Sequence, residues 1–542
     1  MLAGEARRPF VERHFAWTAG VLFAAALVVR LIPFKDGFID FHPTRQYHGA
    51  LIARGMYLDS IGARDSAKNL AARRAQNRRG VLEPQIIERL AAAGYELAGK
   101  EHPAIPRGLS ILFWMLGGVA LLGTARRLTT PLGALVAAGA FLFQPYGIVA
   151  SESMQPDLLM MMLACISLYA IVRYDEEPTF RRALYVGVAA GLAGLVKPVC
   201  LPIIGGLHLA LRLRQNKVTG LLRDPREWTL AACVATPVAG HYVRNILAGK
   251  RLKNLSGMTF RPHLLVTKKF WLAWARKLAH VLGGYWVILV VPLGIWCARG
   301  RLRWALAGLS GGYFVTGLIF NFHFSTHDHY QLTIFPAFAL ALAAITEAVV
   351  KFVTPRAVGY RAAALGAALL AVVWTGHRIV TWSYPLLDGD SSRVADYRKI
   401  GRAVKNSQNV MFATDDGYGS PLEYYGWLSG WYFEMRKVSW GLVEAPEDNL
   451  AELKQHLMDF EPDYFVIIPP SILKQQPESR DHLEEVAYRR RRTKNYVIYD
   501  LKPPPEGETD GEVRRPSMDR PKRKRRPTED EAAAREARPT DD

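Results

Sequence analysis

The feature that most restricts this chain is a succession of apolar runs, each about 18 residues long and therefore long enough for a helix to cross a hydrocarbon layer. They recur at near-regular intervals before residue 380 and are joined by short links rich in arginine and lysine. A soluble enzyme of the same length does not repeat such runs, so the pattern marks a polytopic membrane protein. Eleven segments fit: 14–33, 106–123, 131–149, 157–173, 182–196, 199–213, 228–245, 280–297, 303–321, 329–349 and 358–378. The pair on either side of Lys197 is the shortest.

If the first segment runs outward, the cytoplasmic links are "TARRLTT", "RYDEEPTFRR", "RLRQNKVTGLLRDPR", "ARGRLR" and "KFVTPRAVGYR". Each is basic, as the positive-inside rule requires. The formal charge of +20 is thereby explained as orientation, and nucleic acid is excluded as a partner. The basic stretch "AARRAQNRR" falls outside, in a loop long enough to carry little topological weight. Arg7, Arg8 and Arg13 precede an apolar run too long for a signal-peptide core, which predicts a retained first helix with a cytoplasmic N-terminus. All four cysteines lie inside predicted helices, which disfavours a disulfide framework or a CxxC site.

An odd number of spans puts everything after 378 outside. There "NVMFAT", "DYFVIIPP" and "YVIYDL" read as strands and 449–459 as a helix. The expected fold is thus an all-α polytopic membrane domain over 1–380, with an external loop 34–105 bearing interfacial helices. A small α/β extracytoplasmic domain over 390–503 follows, then a disordered basic and acidic tail over 504–542 around "PKRKRRP".

The outward side collects the chemistry. Asp36 and Asp40 follow the first span, and Glu152 and Asp157 sit in "PYGIVASESMQPDLLMM". A carboxylate near hydrocarbon is costly, so these are functional candidates by default; for Asp157 the competing reading is a first-turn position after Pro156. His42 and His48 accompany Asp40, either handling protons or bonding to neighbouring loop. Arg45 and Arg54 offer planar forks that suit phosphate. Lys197, in "GLAGLVKPVC", either snorkels from a helix end or meets a lipid phosphate. "GKEHPAIPRG" adds Glu101, His102 and Arg107, and upstream Ile86, Ile87, Leu90, Tyr95 and Leu97 suggest a helix along the interface. "FNFHFSTHDHYQLTIFP" supplies His323, His327, Asp328, His329 and Tyr330. With Asp40 and Glu152, His327 and Asp328 offer ligands for a divalent metal, Mg or Mn; hydrogen bonding to phosphate or sugar hydroxyls is the alternative, and no cofactor is fixed. "DDGYGSPLEYYGWLSGWYF" offers aromatic faces to carbohydrate or to its own core.

With those residues in view, the chain resembles the GT-C glycosyltransferases that use polyprenyl-phosphate sugars, in particular the protein O-mannosyltransferase and lipid A aminoarabinose transferase group. The likeness runs over roughly 14–350 and rests on the acidic first loop before "ALIARGMY", on "EHPAIPRGLSILFWMLGG", on "GLAGLVKP" and on "THDHYQLTIFP". One departure stands out: where the family carries an Asp-Glu pair before its Ala-Arg, this chain reads His42-Pro43-Thr44-Arg45-Gln46. A small insertion brings Asp40 into that role, with Asp36 as the fallback.

The resemblance implies inverting transfer of a sugar from a polyprenyl phosphate to a glycolipid, cell-envelope glycan or protein at the outer face of a bacterial plasma membrane, among membrane lipids. It implies Asp40 as base or acceptor orienter, Glu152 shaping the acceptor site or assisting Asp40, and Lys197, Arg54 and His329 neutralising the departing phosphate. Asp157 and His102 would be supports, and Arg45, His42, His327 and Tyr330 would bind substrate. Two other classes compete. A transporter or flippase of a charged lipid or anion would use Lys197 between short helices, but inverted repeats are not apparent and the polar residues gather at one face. A polysaccharide ligase or polymerase would favour arginine pairs over carboxylates in its large loop.

Overall fold

The computed structural model describes residues 10–32, 41–63, 66–80, 83–247, 260–356, 358–383, 391–435 and 449–503. Asp36, Asp40 and the tail 504–542 lie outside the described residues. The chain divides into two compact units. One comprises 1–36, 81–87 and 103–388; the other comprises 37–80, 88–102 and 389–542.

Among the described residues the elements of the first unit are all helical. Among the described residues four helices are long and apolar enough to cross a membrane: Ala104–Leu128, Pro156–Glu176, His329–Val353 and Val358–Thr381. Two bent pairs raise the number to six, Pro131–Phe143 with Pro145–Ser151 at 59° and Lys268–Leu282 with Tyr285–Cys297 at 93°. The expected eleven are therefore corrected to four to six by length and composition. The shortfall has physical causes. Phe15–Leu31, Phe180–Val196 and Leu201–Gln215 have 17, 17 and 15 residues, and at about 1.5 Å per residue none spans the roughly 30 Å of hydrocarbon. Pro225–Leu247 and Gly300–Ile319 are longer but dilute their apolar stretches with glycine, histidine and charge.

The bends are written in the sequence. Pro145 has no amide hydrogen to continue the preceding helix, and the Gln144 side chain accepts from Gly147 N at 2.9 Å to start the next one. Gly283, at φ 98°, ends Lys268–Leu282 in a conformation that favours glycine. Close packing is glycine-driven as well: Leu201–Gln215 crosses Gly300–Ile319 where any side chain at Gly206, Gly308 or Gly312 would overlap the facing backbone.

At the helix ends expected in the cytoplasm, the basic residues are engaged in ion pairs. Arg301 donates to Asp175 at 2.9 Å, and Glu227 accepts from Arg212 at 2.9 Å and from the Tyr174 hydroxyl at 3.0 Å, with His208 at 2.6 Å.

The second unit joins helices Pro43–Ser60 and Ala67–Asn77, and most of Ile86–Ala98, to an α/β domain. Among the described residues its sheet has five strands, β1 (Val410–Thr414), β2 (Gly430–Tyr432), β3 (Tyr464–Ile468), β4 (Arg489–Arg492) and β5 (Val497–Asp500), in the order β2-β1-β3-β5-β4. Strand β1 runs parallel to β2 and β3, and β5 antiparallel to β3 and β4. The three expected strands are the central three. The two unforeseen ones are edges: β2 has three residues, and β4 is four arginines, a charged edge that discourages pairing with another chain.

Both faces of the sheet are covered. Phe465, Ile467 and Tyr499 pack with Leu453 and Leu483, while Phe412, Val466 and Ile498 pack with Tyr397 and Ile400. The helix expected along the interface buries Tyr95 against the Tyr57 ring at 5.9 Å, yet leaves Leu97 93% exposed, so its buried face is narrower than its pattern implied.

Candidate active site

Helix Phe180–Val196 stops because the residue before a proline is pushed out of helical conformation, and Lys197 is extended at φ −160°. A short 3-10 turn, Pro198–Cys200, then begins the next helix. The break frees the lysine side chain. Its Nζ donates to both oxygens of Asp157, at 2.9 and 3.1 Å, from a helix 40 residues away in sequence. Asp157 does occupy the first turn of Pro156–Glu176, so helix-terminus and ion-pair readings hold together. Lys197 Nζ also lies 4.4 Å from the Tyr330 ring centroid.

Around that cation the histidine-rich stretch closes up. Tyr330 stacks on His323 at 4.9 Å and tilts against His329 at 4.8 Å, while His327 stands edge-on to His323 at 5.3 Å. Burial, reinforced by His327, Lys197 and Arg261, pulls the His323 imidazole down to about 3, so it is neutral near neutral pH.

Glu152 caps helix Pro145–Ser151 and lies 3.6 Å from Arg107 Nη1. Their side chains are 1% and 0% exposed, and a carboxylate so deep requires a cation beside it. Arg30, inside the first apolar run, donates to Ser151 Oγ and to Leu142 O, each at 2.7 Å, within electrostatic reach of the same carboxylate. Asp328 lies within electrostatic reach of the Tyr146 hydroxyl and 3.7 Å from His280 Nε2. Asp328 and His329 each offer a ligand atom within 4.8 Å of the other. One carboxylate and one imidazole suit a divalent ion that takes mixed nitrogen and oxygen ligands, such as Mn, better than Mg, which prefers oxygen alone. Of the other metal candidates, Glu152 lies beside Arg107 and His327 Nδ1 lies 2.7 Å from the Thr326 hydroxyl.

In the second unit, helix Pro43–Ser60 starts after His42, which takes a left-handed φ of 48°, with Pro43 at the first helical position. The His42 ring stands 4.4 Å from Phe41. Arg45 and His48 are half-buried on its first turns. Burial lowers the His48 imidazole to about 3, helped by the Arg45 and Arg79 charges, so this histidine stays neutral. Arg54 is 3% exposed. Its Nε donates to Glu101 at 2.8 Å and its Nη1 to Tyr424 O at 2.6 Å, and its guanidinium lies 3.8 Å from the Tyr424 ring and 4.0 Å from Trp427. His102 is exposed.

Asp157, Lys197, His327, His329 and Tyr330 are thus brought together in the first unit, with Glu152 on Arg107. His42, Arg45, Arg54 and His102 belong to the second unit. Sequence reasoning missed Arg30, Tyr146 and His280. For Arg30 a signal existed, a charge inside "ALVVRLI"; Tyr146 and His280 gave none.

The described residues form a helical unit with four to six candidate membrane spans and a unit built on an α/β sheet. A family model described as dolichyl-phosphate-mannose-protein mannosyltransferase matches residues 83–242, the stretch bearing Glu152, Asp157 and Lys197. The chain is similar to ArnT from Cupriavidus metallidurans in the apo state, with 17% identity and a TM-score of 0.57 over 90% of this chain and 98% of that one. Similarity to ArnT bound to undecaprenyl phosphate is nearly the same, with 16% identity and a TM-score of 0.56 over 90% and 98%. At such identities the likeness establishes the fold. No curated protein matches the chain by sequence.

Proposed function

We propose that this chain is an integral membrane glycosyltransferase that moves a sugar from a polyprenyl phosphate to a glycolipid, envelope glycan or protein. The reaction would face the outside of a bacterial inner membrane. The observation that carries the reading is Lys197, a buried ammonium at a helix break, fixed on Asp157 and over the Tyr330 ring, which in turn packs on His323 and His329. A phosphate leaving group needs such a fixed cation.

In the proposed step the acceptor oxygen attacks the anomeric carbon, the bond to the phosphate oxygen breaks, and its electron pair leaves on the phosphate. Direct displacement inverts the anomeric centre. Asp40, or Asp36 in its absence, takes the acceptor proton. Lys197 neutralises the phosphate, His327, His329 and Tyr330 donate hydrogen bonds to it or to sugar hydroxyls, and Asp157 holds Lys197 in place; Arg45 is a substrate-binding residue. Glu152, paired with Arg107, shapes the acceptor side, with His42 and His102 at the aqueous boundary. A divalent ion on Asp328 and His329 would add positive charge beside the phosphate.

In this reading residues 1–380 form the transferase domain, loop 34–105 and domain 390–503 face outward, 504–542 is a polar tail and the N-terminus is cytoplasmic. Counting the five shorter or more polar helices as spans in a locally adjusted bilayer returns the number to eleven.

Mass spectrometry of membrane glycolipids and glycans from cells with the wild type and with Asp40→Asn tests the reading. Loss of one sugar addition at equal protein abundance supports it. Altered solute or lipid movement with unchanged glycans would replace it with transport.

A further inference from the structure

The first-loop helices and the C-terminal domain of the second unit are fastened at one short element. Helix Ser420–Gly426 meets Pro43–Ser60 through the Arg54 sandwich between Tyr424 and Trp427, and through the Tyr47 hydroxyl on Tyr425 at 3.0 Å. Just beyond helix Ala67–Asn77, Arg79 donates to Ser420 Oγ at 3.0 Å and to the Glu423 carboxylate. These partners lie 341 to 378 residues apart in sequence.

The element is unusually shaped for the purpose. It is bounded on both sides by left-handed residues, Gly419 at φ 75° and Trp427 at φ 50°. Glycine adopts that conformation freely, but a tryptophan does so only at a cost of about 1 kcal/mol or more. What the strained turn achieves is to bring the indole over Arg54. Glu423 is buried, and its other oxygen accepts from Gly430 N at 3.1 Å, at the start of β2. The fastening thus runs from the sheet through Glu423 to Arg79.

Resting on the transferase reading above, we infer that segment 420–427 is a positioning device for the first external loop. Glu423, Tyr424 and Trp427 hold helix Pro43–Ser60, and with it the substrate-binding Arg45 and His42, in one register on the C-terminal domain of the same unit. The aromatic stretch is then neither a carbohydrate platform nor simple filler. Misplacing such a helix by about 1 Å can cost on the order of a hundredfold in rate.

The test uses the full-length purified protein with Glu423→Gln, Trp427→Leu and Trp427→Phe. Readouts are kcat, acceptor KM, thermal midpoint and amide hydrogen exchange across 43–60. Glu423→Gln and Trp427→Leu are expected to lower kcat about tenfold or more with acceptor KM within about twofold, and to speed exchange in 43–60, while Trp427→Phe restores both. A raised acceptor KM with unchanged kcat would overturn the inference in favour of acceptor recognition by the domain. Unchanged exchange in 43–60 would also overturn it. If the wild type moves no sugar, the transferase reading fails on its own, and the exchange comparison still decides whether segment 420–427 holds the helix.

Discussion

Lys197 illustrates what one residue of this chain must satisfy at once. An ammonium with only 8% of its side chain exposed would be costly alone, and Asp157 beside it would be costlier still. Lys197→Met is therefore expected to reduce transfer about a hundredfold or more by removing charge from the leaving phosphate, and to lower the thermal midpoint because Asp157 is left buried and uncompensated. Adding Asp157→Asn should recover the midpoint and leave transfer low, which calorimetry alongside a transfer assay would separate.

His48 gives a second expectation. Its folded pKa, about 3, lies below the unfolded value, so the unfolded chain binds the proton first as pH falls. Its contribution to stability is complete above about pH 6.5 and is lost progressively toward pH 3. His48→Gln should flatten the midpoint-versus-pH curve of the protein in that window. Lys197 and Arg54 were both visible in the sequence as candidates. Their partners were not: Asp157 lies 40 residues from Lys197, and the carbonyl that fixes Arg54 lies 370 residues away. A fork suited to phosphate and a fork committed to Glu101 and Tyr424 look identical in one dimension.

At the scale of elements, apolar runs gave the helices because burial in lipid demands little else of a sequence. The count of spans was less legible, since several apolar runs form helices too short or too polar to cross, and bends at Gln144–Pro145 and Gly283 break two others. The sheet was read where its strands are apolar and central, and missed where an edge strand needs only backbone partners and tolerates four arginines. Helix contact through glycine was equally hidden, because an isolated glycine in a helix has no signature of what faces it. Gly308→Leu should force apart helices Leu201–Gln215 and Gly300–Ile319, with the overpacking costing about 1–3 kcal/mol and showing as a lower midpoint in detergent. Gln144→Ala should cost about 1 kcal/mol through the lost cap.

For the whole molecule, the proposed orientation places 181 in the cytoplasm and 454 outside. In a background whose native cysteines are replaced, Arg181→Cys should react with an impermeant maleimide only after the membrane is opened, and Lys454→Cys should react in intact cells; both positions are exposed. The reverse pattern would put the chemistry on the wrong side of the bilayer.

The most direct measurement is transfer by the purified protein in lipid nanodiscs, supplied with a polyprenyl-phosphate sugar and membrane-extracted acceptors and followed by mass spectrometry. The wild type should release polyprenyl phosphate and add one sugar to an acceptor, and Lys197→Met, folded by the same criteria, should do neither. Equal turnover by Lys197→Met, or intact donor with the wild type across all acceptors, would contradict sugar transfer at this site.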